Sequence, residues 1–423
     1  IIVIDGYLVS ALGEVALASL GIAGAIAGLL LGFFFSFSSA AQIRVAQAFG
    51  SRDRRLLKSV FLCGLSINLF ILVAGLAVIW AFGDTILSAV AATPEIAANA
   101  KAYLAAFSLV FVAEAVSQII GSYFNGCGRT RIPLISYVLS LPVNVVVSYA
   151  LIHGVFGLPA LGIAGAAIGT SVAACLRLGI LGAWFLKSEL PLVQAEGWQR
   201  GSFRSAQRAH LAFTLPIAAT FVSMGMANQV SMLIYAQMSV VAFAAMTIIL
   251  PWIQVGGTMG MSWAQATGIL VAQLLGGKAS ADKLELFLSS AWRGVFLAAI
   301  LVSFLLAGIS IFASHIYQHL QPETIAALAG FLPILLVLPI LKCTNAICGN
   351  TLRAAGDTVY VMNVFIGSSW LFRVPLVAIA VLWLDLGVMW VMAVLLLEEF
   401  VKFPWFHLRI FAGNWKSADV LAE

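Results

Sequence analysis

Several long apolar runs in this sequence carry an ionisable side chain: Asp5, Glu114, Lys342, Arg373, and Glu398 with Glu399. A charge among Ile, Val and Leu is expensive to bury, so it marks an ion or substrate pathway unless a partner neutralises it. Asp5 follows Ile1-Ile2-Val3-Ile4. A carboxylate there can take up a proton on one side of a barrier and release it when wetted on the other; the plainer reading is a permanently hydrogen-bonded residue. Arg373 stands next to Pro375. Glu398 and Lys402 are spaced i, i+4 and can neutralise one another, which suggests an ion network between the last two helices. His315 and His319 share the i, i+4 spacing, but no third ligand and no intervening glutamate accompanies them, so no metal is expected. Gly126-x-Gly128 lacks the strand-turn-helix context of a dinucleotide fingerprint, and no G-x-x-x-x-G-K-[ST] occurs, so ATP does not drive this chain directly.

The elements that hold these residues follow from composition. Of 423 residues, 62% are hydrophobic and 9% charged, and the mean hydropathy is +1.06. A water-soluble chain carries about a quarter charged residues. Long continuous apolar runs, without the alternation of a barrel, call for α-helices of about 20 residues crossing a bilayer. The five cysteines form no C-x-x-C pair and read as small buried side chains.

Twelve spans are expected, near 1–11, 17–43, 59–82, 103–124, 132–152, 161–186, 211–236, 242–272, 286–313, 325–348, 359–383 and 387–408. The chain opens inside the first span, so upstream residues are expected. Loops after even-numbered spans and the C-terminal tail carry most of the Lys and Arg, including Arg52, Arg54, Arg129, Arg131, Lys187, Arg200, Lys278, Arg353 and Arg409, whereas the opposite loops carry Lys101 and little else. Positive charge concentrates on the cytoplasmic side, so both termini are expected there, and no nucleic-acid partner is implied.

The two halves repeat. Residues 40–50 and 266–276 share A-x-x-I-x-V-A-Q-x-x-G, Ile120-Gly121 with Gly128-x-Thr130 matches Cys348-Gly349 with Gly356-Asp357-Thr358, and Leu161-Gly162-Ile163 matches Leu386-Gly387-Val388. The offsets lie between 225 and 228. Six spans is an even number, so the copies have the same topology, a parallel repeat. The expected fold is an all-α membrane protein with a six-helix lobe at 1–188, a cytoplasmic linker at 189–210, a second lobe at 211–416 and a tail at 417–423. Glu114 and Lys342 lie 228 apart and so occupy equivalent places with opposite charges. They form a pair across the lobes, or Lys342 replaces a bound cation, or each is neutralised inside its own lobe.

Asn125-Gly126-Cys127-Gly128-Arg129-Thr130-Arg131-Ile132-Pro133, then Asn144, then the run from Gly154 through Ala167, then Thr170 resemble the multidrug and toxic compound extrusion (MATE) family pattern. V-A-Q-x-x-G at 45–50, Arg353 to Thr358, Arg373-Val374-Pro375 and Gly413-Asn414-Trp415 extend the resemblance over the chain. It implies export of amphipathic, often cationic compounds from a prokaryotic inner membrane, coupled to entry of H+ or Na+, with no cofactor and no enzymatic activity. By this resemblance Asp5 matches the first-helix aspartate, and Asn144 and Thr170 its polar partners; Asp5 hydrogen-bonded to Asn144 is the structural alternative. Ser148 stands where many relatives have a second aspartate. Gln229 and Lys342 stand where the sodium-linked NorM-like branch has acidic residues, which points to the proton-coupled DinF-like branch. Gln229, Met226 and Met261 are the expected cavity residues, and the partners are a small-molecule substrate and membrane lipid, with the chain a monomer. A lipid-linked oligosaccharide flippase of the same superfamily is the alternative.

Overall fold

The computed structural model describes residues 2–155, 157–193, 196–317, 320–418 and 420. Among them no strand occurs, and the helices follow the apolar runs. They are α1 (Ile2–Ser10), α2 (Glu14–Ser51), α3 (Arg54–Val90), α4 (Pro94–Gly126), α5 (Arg131–His153), α6 (Ile163–Val193), α7 (Phe203–Tyr235), α8 (Val240–Gly276), α9 (Ala281–Ile311), α10 (Leu332–Ala354), α11 (Thr358–Trp383) and α12 (Val388–Phe411). Side-chain caps fix several starts. Asp53 accepts from the Arg55 and Leu56 amides, and Thr93, followed by Pro94, accepts from Ile96. The span expected near 325–348 is divided into a short helix, Pro322–Gly330, and α10. The break at Phe331 falls just before Pro333, whose ring fits a first helical turn and not a helix interior.

Among the described residues, ten helices are long and apolar enough to cross a membrane. The exceptions have plain causes. α1 has nine residues, and α12 carries Glu398, Glu399, Lys402 and Arg409. The helices run through Pro142, Pro216, Pro251 and Pro339. Departure from α geometry is concentrated in α11, where Gly367–Arg373 and Ile379–Trp383 are π-helical on either side of Pro375.

The chain divides into two compact units. The first comprises 1–45 and 53–211, the second 46–52 and 212–423. In the first, α6 packs along α4 and α5, α3 lies on α4, and α1 rests on α5 and α6. In the second, α10 packs on α8, α9 and α12. The pairings α3 with α4 and α4 with α6 recur as α9 with α10 and α10 with α12, six helices later. The second unit shows the repeat at atomic detail. A Cβ at Gly50 would press on the Gln273 carbonyl, and one at Gly276 on the Gln47 carbonyl. Gln47 also donates from Nε2 to the Ala354 carbonyl at 2.8 Å.

Candidate functional site

In the first unit, the crossing of α5 and α6 builds the site. Gly165 and Gly169 form a small-x-x-x-small face on α6 that lets two backbones approach closely. A Cβ at Gly165 would lie 2.6 Å from the Leu151 carbonyl carbon, and one at Gly169 would lie 2.6 Å from the Ser148 amide nitrogen. This approach sets Asn144 of α5 beside Thr170 of α6, and α1 brings Asp5 to the same point. Asn144 Nδ2 donates to Thr170 Oγ1 at 3.0 Å, and Thr170 Oγ1 donates to Asp5 Oδ2 at 3.1 Å. Asn144 Nδ2 also reaches Ser148 Oγ at 3.5 Å. Asp5 is 2% exposed, Asn144 0% and Thr170 4%. The three residues expected to act together are adjacent, with Thr170, rather than Asn144, in contact with the carboxylate.

This chain of groups is short of donors. Among the described residues, Asp5 Oδ1 and Asn144 Oδ1 are buried and accept no hydrogen bond. A buried acceptor without a donor costs about 1–3 kcal/mol. One proton on Asp5 would turn a carboxylate that only accepts into a group that also donates. Ser148 fits the crossing: it sits against Gly169 where helix contact leaves little room.

Of the other charges expected inside the membrane, Glu114, Arg373, Glu398 and Glu399 each find a partner within their own unit. Glu114 on α4 pairs with Arg177 Nη1 on α6 at 2.6 Å and accepts from Gln118 Nε2 at 3.0 Å. The Arg177 guanidinium lies 4.3 Å from the Tyr137 ring centre. In the second unit, Lys402 bridges Glu398 at 3.2 Å and Glu399 at 2.9 Å, and Arg373 reaches Glu398 at 3.4 Å. Ser369 donates to Glu398 Oε1 and Asn345 to Glu399 Oε2, each at 2.9 Å. The π-helical stretch of α11 carries both Ser369 and Arg373 toward α12. Lys342, half-buried on α10, makes no hydrogen bond or ion pair among the described residues.

Met226 and Gln229 are exposed on α7, and Met261 on α8 is half-buried with Sδ 3.9 Å from Asn350 Nδ2. His319 lies outside the described residues, and among those described no cluster of three His, Cys, Asp or Glu could hold a metal. Sequence reading passed over two working groups. Arg177 lies in an expected span and answers to the same rule that selected Asp5. Asn345 gave a weaker signal, an uncharged amide in an apolar run.

Residues 1–150 and 216–379 match the MatE family model. The uncharacterized transporter YisQ of Bacillus subtilis (strain 168) is 21% identical over 415 residues, covering 98% of this chain and 89% of that protein. The probable multidrug resistance protein NorM of Streptococcus pneumoniae is 26% identical over 321 residues, 74% of this chain and 68% of NorM. Among solved structures, a MATE family transporter of the MOP superfamily in an outward-facing conformation superposes with a TM-score of 0.81 at 19% identity, covering 97% of this chain and 91% of that one. The eukaryotic MATE transporter AtDTX14 gives 0.81 at 19%, covering 99% and 92%. At such identities the likeness is one of fold, and twelve helices in two units fit it. The stretches matched by the family model hold Asp5, Glu114 and Asn144 in the first unit and Lys342 and Arg373 in the second, and they make up well over half of the sequence: the chain belongs to the MatE family.

Proposed function

We propose that this protein is a secondary active exporter of amphipathic small molecules, cationic ones among them, that works by alternating access and exchanges its substrate for protons at Asp5. The observation that carries the reading is the buried chain Asp5–Thr170–Asn144, whose carboxylate has an oxygen without a donor. Protonation turns that acceptor into a donor and removes a charge from an apolar place. Deprotonation leaves a carboxylate that favours wetting. α1 rests on α5 and α6 with Leu8 and Val9 in the apolar core, and Asp5 is where a change in charge acts on that packing. Relatives named as probable multidrug resistance proteins support the substrate class. Gln229 and Lys342, at the places where the sodium-linked branch has acidic groups, support a proton-coupled, DinF-like arrangement. The distribution of Lys and Arg supports cytoplasmic termini.

The test is transport of a cationic dye in proteoliposomes under an imposed pH gradient, and separately a sodium gradient, for the parent and for Asp5→Asn. A pH-driven parent with a dead variant is the expected result. Equal transport by both would make Asp5 structural, and transport driven by sodium alone would remove the proton from the scheme.

A further inference from the structure

Six cations gather at the start of α3 and in the segment that leads into α7. They are Arg54, Arg55 and Lys58 in the one and Arg200, Arg204 and Arg208 in the other. Inside the first unit the fold fastens these two stretches together. The Gln199 amide donates to Ser59 Oγ at 2.9 Å, the Lys58 ammonium lies 5.1 Å from the centre of the Trp198 ring, and a Cβ at Gly197 would come within 3.9 Å of Arg55 Cδ. Further along, Ser66 Oγ donates to Gln207 Oε1 at 3.1 Å, which lays the first turns of α7 beside α3. Arg54 and Lys58 share one face of α3, and Arg204 and Arg208 one face of α7, because residues four apart lie on the same side of a helix.

The same stretches hold two carboxylates. Asp53 serves the cap of α3, where it accepts from the Arg55 and Leu56 amides, and Glu196 is exposed. Arg54, Arg55, Arg204 and Arg208 are exposed and, among the described residues, make no ion pair. Helix stability does not ask for them. First turns favour acidic side chains, whereas α3 and α7 have none there and carry Arg54, Arg55 and Arg204 instead. Orientation in the membrane depends on how many cations a loop carries; it does not require two stretches 140 residues apart to fold into one patch.

Two aromatic rings share the place. Trp198 is half-buried and meets Phe203 edge to face at 5.0 Å, and Phe203 is 39% exposed. The apolar runs expected from 59 and from 211 begin beside these cations, so the patch stands where the chain leaves the hydrocarbon. Cations next to an indole and an uncovered phenyl ring suit a molecule with a charged head and an apolar body, at the level of the lipid head groups.

We infer that this patch is a seat for an anionic phospholipid, its phosphodiester facing the arginines and its glycerol and upper acyl chain lying against Trp198 and Phe203. The seat goes beyond the exporter reading and does not depend on it, because binding is measured without transport.

The test uses the full chain in neutral detergent micelles, titrated with phosphatidylglycerol or phosphatidylcholine, with bound lipid counted by native mass spectrometry. Phosphatidylglycerol should be retained in preference. Arg54→Gln with Arg204→Gln should raise the phosphatidylglycerol concentration at half occupancy about twenty-fold, or about fivefold for each charge removed. Arg54→Lys with Arg204→Lys keeps the charges and should keep most of the affinity. Arg55→Gln with Arg208→Gln repeats the test on the same patch should the first pair fail to fold. Lys278→Gln with Lys283→Gln removes two exposed cations from the second unit and should leave the binding unchanged. Equal retention of the two lipids, undiminished binding in the Arg54 and Arg204 variant, or an equal loss from the Lys278 and Lys283 variant would reduce the patch to general surface charge and overturn the seat. Displacement of the lipid by millimolar inorganic phosphate would make it a site for soluble anions and overturn the lipid assignment. A protein that exports no dye yet retains phosphatidylglycerol here keeps the seat and loses the exporter reading.

Discussion

Thr170 is the residue on which the first unit's polar chain turns, because it accepts from Asn144 and donates to Asp5. Thr170→Val keeps the shape and removes the hydroxyl. It should lower dye export by about tenfold, the effect of losing one hydrogen bond to a charged group, whereas Thr170→Ser should retain most of it; initial rates in proteoliposomes check both. The Glu114–Arg177 pair makes a separate prediction about stability. Arg177→Met leaves a carboxylate inside the helix bundle without its counter-ion and should cost roughly 3–5 kcal/mol, while Glu114→Gln with Arg177→Met should recover most of that loss. Thermal unfolding in detergent gives the order: parent, double variant, single variant. At this scale Asp5, Asn144 and Thr170 were legible by type and by family pattern. Thr170 as the central link was not, because sequence gives no distances. The partner of Glu114 was hidden for another reason: the repeat relates Glu114 to Lys342, 228 residues away, while the group that binds it, Arg177, lies on α6 of the same unit.

Helix crossings carry the next level of prediction. Gly169 has Ser148 against it, whereas Gly179, ten residues on in the same helix, has open space. Gly169→Val should therefore destabilise the protein by about 1–3 kcal/mol through overpacking and abolish export by parting Asn144 from Thr170. Gly179→Val should stay within about 0.5 kcal/mol of the parent. Thermal unfolding and dye export together separate the two positions. Helix positions were readable from hydropathy because every expected span holds a helix. Their ends were less so: α2 runs on to Ser51 and α3 to Val90, since polar residues beyond the apolar run still continue a helix until a cap stops it. The π-helical turns of α11 had only Pro375 as a forewarning.

For the molecule as a whole, the repeat was the most legible feature, and the paired helices of each unit reproduce it. The skeleton A-x-x-I-x-V-A-Q-x-x-G also turned out to be a contact motif, with Gly50 on Gln273 and Gly276 on Gln47. A sequence cannot say that two copies of a motif touch. It also gave no sign that residues 46–52, the last turns of α2, belong with the second unit.

The cluster on α12 bears on how the chain enters the membrane at all. A helix presented singly to the insertion machinery is judged on its own composition, and each central Glu, Lys or Arg then weighs against it by about 2.5–3.5 kcal/mol. With Glu398, Glu399 and Lys402 along its middle, α12 should be rejected when it emerges alone. Arg373 and Ser369 on α11 already touch Glu398 in the finished fold, so the last two helices have reason to enter together as a hairpin. Glycosylation mapping in a reporter would show this as poor insertion of residues 388–411 by themselves and efficient insertion of residues 358–411. Synthesis of this pair would then include a wait, α11 held at the membrane's edge until α12 arrives.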